Sequence, residues 1–146
     1  MNEFTITTVI ARPVGEVFAV ITDLERMPLW VPGMSGARVT SDGPLEAGST
    51  LSYQGNFLGR GLETPFVCTG LTENKHFGTR ATGGPFYLET EAVLEPAAEG
   101  TRVTTTCRGE SRGFFKLAEP LVVRLSKKHW ETAAENLRTL MEDHAI

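Results

Sequence analysis

Cysteine is scarce: Cys68 and Cys107 are the two among 146 residues, and neither a CxxC pair nor a close Cys/His cluster accompanies them. That excludes a disulfide scaffold and a zinc finger, and the two thiols read as reduced core residues. Runs of one charge are missing as well. With 14 Lys+Arg against 18 Asp+Glu, the net charge is −4 and the pI about 5.4. The basic stripe of a nucleic-acid binder is therefore lacking, and no DNA or RNA partner is expected. No stretch is apolar for long enough to span a bilayer. Residues 1–12 alternate threonine with Phe4, Ile6 and Ile10, which is not the continuous apolar segment of a signal peptide. The expectation is a cytoplasmic protein with no stable membrane insertion.

What remains is ordinary globular material, 40% hydrophobic and 22% charged, with neither repeat nor linker, so residues 1–146 read as a single domain. Phe4, Ile6, Thr8 and Ile10 share one face of an extended segment, the period-2 mark of a half-buried strand. Pro13 then suits a first helical turn, and Val14, Val17, Phe18 and Ile21 form one apolar stripe. A second short helical piece, residues 24–30, is cut by Pro28 and closed by Val31-Pro32-Gly33, which makes an elbow carrying Trp30. Residues 37–113 read as about six strands separated by turn chemistry at Ser41-Asp42-Gly43, Glu73-Asn74, Gly83-Gly84 and residues 97–100. Added to the first strand, they predict a curled antiparallel sheet of about seven.

A long helix follows Glu119-Pro120. Val122, Val123, Ser126, His129, Trp130, Ala133, Ala134, Leu137, Leu140 and Met141 fall on one broad face, and charges line the other, with Lys127–Glu131 and Arg138–Glu142 at i, i+4. Trp130 sits in mid-stripe, where full burial would make its truncation cost about 3–5 kcal/mol. The fold class is α+β, with the sheet gripping the helix.

Four stretches, "TITTVIARPVGEVFAVITDLERMPLWVPGM", "EAGSTLSY", "VLEPAAEGTRVTTTCRGES" and "GFFKLAEPLVVRLSKKHWETAAENLRTLMED", follow one another in the order of a known family. Together they resemble the polyketide cyclase/dehydrase and lipid-transport group of the START-like (SRPBCC) superfamily, whose helix-grip fold is shared with the major birch-pollen allergen. The resemblance implies a cavity between the sheet and the C-terminal helix, with its mouth at the elbow and the strand loops. The superfamily includes carriers, polyketide aromatase/cyclases and hydrolase-like enzymes, so fold alone does not fix function.

The residues supply a lining for such a cavity. Tyr53 and Phe57 share a face of the third strand; Phe86, Leu88 and Thr90 of the sixth; Val103, Thr105 and Cys107 of the seventh. Phe77, Phe114 and Phe115 lie near strand ends. Trp30 from the elbow and Val122, Ser126, His129 and Trp130 from the helix complete the expected wall.

Catalytic patterns are weak. Gly109-Glu110-Ser111-Arg112-Gly113 matches G-x-S-x-G but ends an antiparallel strand, and the later Asp143 adjoins His144, so the setting of a nucleophile elbow is missing. His76, His129 and His144 have no metal-ligand spacing, and neither metal nor cofactor is expected. The glycine-rich residues 55–61 lack phosphate-loop spacing and read as a turn displaying Phe57 and Leu58. His129, Ser126, Tyr53 and Arg80 are the candidates for proton transfer or oxyanion donation. Two functions remain open: a carrier or sensor binding a hydrophobic polyketide- or lipid-like small molecule, as monomer or homodimer, and an aromatase/cyclase-like enzyme.

Overall fold

The computed structural model describes residues 2–57, 60–84, 86–111 and 116–146. Strand β1 (Asn2–Ile10) buries Ile10 completely. Its period-2 pattern then gives way to α1 (Val14–Ile21), which begins directly after Pro13 and buries Val17, Val20 and Ile21. A single 3₁₀ turn (Leu24–Arg26) is capped by the Asp23 side chain, which accepts from the Glu25 amide. It passes straight into α2 (Met27–Trp30). Pro28 stands in the first turn of α2, where its missing N–H costs nothing, so it starts this helix and does not cut it.

Six strands follow: β2 (Met34–Val39), β3 (Thr50–Phe57), β4 (Arg60–Thr72), β5 (His76–Ala81), β6 (Phe86–Ala97) and β7 (Gly100–Ser111). They join β1 in one seven-stranded sheet ordered β1-β7-β6-β5-β4-β3-β2, every pairing antiparallel. Register shifts occur between Met34 and Gly36 and between Cys68 and Gly70, whereas Pro65 pairs with Ser52 without a shift. Bulges of this kind bend a strand and add twist. The sheet curls around α3 (Glu119–Glu142), the expected helix-grip arrangement.

The helix is packed unevenly. Its C-terminal half buries Ala133, Leu137 and Met141 in a core shared with Ile10, Val17, Val20, Trp30 and Val103. In its N-terminal half Leu121 and Leu125 are 52% and 59% exposed. The apolar stripe is thus core at one end and the wall of an opening at the other. On the outer face Arg138 pairs with Glu135 and, at 3.3 Å, with Glu142, but among the described residues no ion pair joins Lys127 to Glu131. Among the same residues no helix is long and apolar enough to cross a membrane.

Candidate functional site

Where α3 parts from the sheet, a cavity of about 840 Å³ opens, well within the range of small-molecule sites. Four elements build it. The elbow contributes Trp30, which is buried and held to the helix because Asn136 Nδ2 donates to its carbonyl oxygen at 3.1 Å. Strand β3 contributes Tyr53, whose ring lies 4.5 Å from that of Phe66 on β4. The elbow can press this close to β3 because residue 55 is glycine: a Cβ there would meet the Gly33 carbonyl at 2.8 Å.

The floor is the concave face of β5, β6 and β7, which supplies Phe77, then Phe86, Leu88 and Thr90, then Thr105 and Cys107. Each set comes from one face of its strand, as period-2 alternation requires. The roof is the N-terminal half of α3, with Val122, Ser126, His129 and Trp130. Thirteen of the expected lining residues, Val103 among them, therefore surround one space. Phe114, Phe115 and the side chain of Phe57 lie outside the described residues, as does Leu58.

Arg80 is the exception among the candidate polar groups. It follows Thr79, which faces the cavity, so alternation turns it to the convex face opposite Glu89, and it does not line the space. Ser111 is buried at the end of β7 and borders the cavity. The rest of its glycine motif is outside the described residues, and Asp143 with His144 lies beyond the far end of a 24-residue helix, about 36 Å long. No hydrolase triad can form from them.

Sequence reading missed Phe4, Thr8, Thr64 and Thr79, all of which line the space. Alternation with Ile6 and Ile10, and with Phe77 and Ala81, is the signal that finds Phe4, Thr8 and Thr79. Leu121 and Leu125 also border it, on a flank of α3 that the helical wheel leaves outside its apolar face.

Burial biases three titratable groups that line the cavity, Tyr53, Cys107 and His129, toward their uncharged forms. Burial holds the Tyr53 phenol well above its ordinary range, against a small opposing effect of the Thr79 hydroxyl that faces it. Burial likewise pushes the Cys107 thiol up to about 12. His129 moves the other way, because partial burial lowers its pKa and favours neutral imidazole. Its ring meets Trp130 edge-on, with centroids 5.3 Å apart and planes at 89°. Cys68 and Cys107 are free buried thiols. Among the described residues no group of three or more His, Cys, Asp or Glu converges as a metal site.

Known proteins place this architecture. Residues 1–142 match the family described as polyketide cyclase/dehydrase and lipid transport. A structure of TTHA0849 from Thermus thermophilus superposes with a TM-score of 0.80 at 20% identity, covering 94% of this chain and 95% of that one. A START superfamily protein from Mycobacterium smegmatis gives 0.69 at 17% identity, over 92% and 98%. The di-domain aromatase/cyclase BexL of the BE-7585A biosynthetic pathway gives 0.79 at 13% identity, over 97% of this chain and 47% of its own. At these identities the likeness is one of fold. No curated protein matches the sequence. By its match over nearly the whole length, the chain belongs to the polyketide cyclase/dehydrase and lipid transport family.

Proposed function

We propose that the protein binds a hydrophobic small molecule, polyketide- or lipid-like, between the sheet and the N-terminal half of α3. The observation that carries this reading is the large space walled by Trp30, Phe77, Phe86, Leu88 and Trp130 in a domain whose helix is otherwise tightly packed. A core that could close would bury these side chains against one another, since native interiors leave few voids larger than a water molecule. Native mass spectrometry of protein purified from its own host is the test. A co-purifying apolar molecule released on denaturation supports the reading, and a bare mass from a host that makes such compounds counts against it.

His129 favours a second reading. A neutral imidazole in the wall of an apolar cavity is suited to general-base chemistry, such as promoting the aldol closure of a poly-β-keto chain, with Tyr53 as a donor to the developing enolate. The two readings part on His129→Gln. A binding protein should change affinity by about 0.5–1.5 kcal/mol, whereas a cyclase should lose about 10²–10⁴ in turnover of a cyclisable precursor.

A further inference from the structure

The concave floor carries a row of hydroxyl and thiol groups that a purely apolar cavity would not need. Cys107 on β7 stands opposite Thr90 on β6, Thr90 opposite Thr79 on β5, and Thr79 opposite Cys68 on β4. Cys107, Thr90 and Thr79 border the cavity, and Cys68 closes the row in the core. Neighbouring strands lie about 4.8 Å apart, so the polar groups follow one another at about that interval across the curled floor. The Tyr53 phenol extends the row through Thr79, and Cys107 engages Thr90. A threonine hydroxyl has one donor and two acceptor sites, so each keeps capacity for a ligand after these contacts.

Among the described residues, the charged groups at the edge of the same space are already paired. Glu89, Arg108 and Glu110 themselves border it, but each falls between the inward positions of its strand. Their side chains are engaged elsewhere. Arg108 Nε donates to Glu3 at 2.6 Å, with Glu89 3.9 Å from Arg108 Nη1; Glu89 accepts from the Tyr87 hydroxyl; and Glu110 faces Lys116 at 3.5 Å. Buried tyrosine and thiol are held protonated and His129 neutral. Among the described residues the one cation bordering the cavity, Arg108, is already paired with Glu3 and Glu89, so an anion entering would shed water without gaining a free counter-charge, and that cost is large.

We infer that the cavity selects an uncharged, flat molecule with oxygens along one edge in register with Thr79 and Thr90, and that it rejects carboxylates of the same size. Hydroxyls on alternate carbons of an aromatic ring match the strand interval, which makes a polyhydroxylated aromatic the favoured class over a fatty acid. This inference rests on the small-molecule reading above.

Equilibrium dialysis with three probes tests it: naphthalene, 1,3-dihydroxynaphthalene and 2-naphthoate. The diol should bind about 3- to 10-fold more tightly than naphthalene, the advantage of one net hydrogen bond, and naphthoate at least about 10-fold more weakly than the diol. Thr90→Val keeps the shape, so it should erase the diol's advantage and leave naphthalene unchanged. Thr104→Val lies on the other face of β7, opposite Val93 and outside the cavity lining, and should preserve it. Equal affinity for all three probes would overturn the inference while leaving the small-molecule reading intact. So would a diol preference that survives both Thr90→Val and Thr79→Val, or one lost in Thr104→Val alone. Failure of every probe to bind would overturn both.

Discussion

The guanidinium of Arg12 caps the far end of α3, with Nη1 donating to the Met141 carbonyl at 2.7 Å. The same nitrogen reaches the Ile146 carbonyl at 3.3 Å, and Nη2 is held by Glu16 at 2.9 Å. The helix has no basic residue in its own last turn, so its final carbonyls and the negative end of its dipole are met by a cation from the β1–α1 corner. Nearby, the Ala11 amide donates to Glu142 Oε2 at 3.0 Å. This corner fixes the packed half of the helix while the other half stands away from the floor.

Arg12→Ala should therefore cost about 1.5–3 kcal/mol, the range for hydrogen bonds to a charged group. The side chain is only 15% exposed, so solvent screening takes little away. Urea unfolding measures the loss; a value under about 0.5 kcal/mol, as for an ordinary surface site, would show that the cap contributes nothing.

Gly100 opens β7 with φ +143°, and a Cβ there would stand 2.2 Å from the Ile10 carbonyl oxygen and 2.8 Å from the Arg12 amide. Both obstacles are backbone and cannot swing aside. Gly100→Ala should cost at least about 2 kcal/mol, combining a conformation that L-residues rarely adopt with displacement of the β1 end. Thermal unfolding reports it. A melting temperature within a degree of wild type would mean that β1 and the β6–β7 hairpin can separate freely.

Much of this architecture is legible in the residues, because local period reports which face is apolar. Phe4 to Ile10 in β1, Val14 to Ile21 in α1 and the Phe86, Leu88, Thr90 set in β6 all face the interior they were expected to face. Distance to the opposite wall is not a local property. The α3 stripe reads the same from Val122 to Met141, yet Met141 is fully buried while Val122 borders open space. Nothing on a helical wheel marks where the helix leaves the floor. Arg80 fails for the converse reason: its chemistry suits a site, but it sits one residue out of phase with Thr79. Lys127 and Glu131 have suitable spacing and no bond, because exposed pairs gain little over water.

Trp130 shows the consequence for energetics. It is half-buried and borders the cavity, so one side of the indole has no packing partners to lose. Trp130→Ala should cost about 1–2 kcal/mol, less than the 3–5 kcal/mol of a fully packed tryptophan. Met141→Ala, at a site with no exposure, should cost about 2–5 kcal/mol. Urea unfolding of both variants decides the matter, and a larger loss at Trp130 than at Met141 would contradict the division of α3 into a packed half and a roofing half.

His129 should make stability depend on pH. Burial lowers its pKa in the folded protein, whereas in the unfolded chain imidazole titrates near its ordinary value of about 6.5. Below that value the unfolded state binds the proton first, so stability falls with pH and goes on falling until the folded-state pKa is passed. Above about pH 7 both states are neutral and the contribution is constant. Urea unfolding at pH 7, 6 and 5 should show a decline that is shallower in His129→Gln. His76 and His144 remain in the variant, so the difference between the two profiles belongs to His129. Parallel profiles would show that the imidazole takes up its proton as readily in the fold as outside it, and that the cavity wall around it solvates a cation as well as water does.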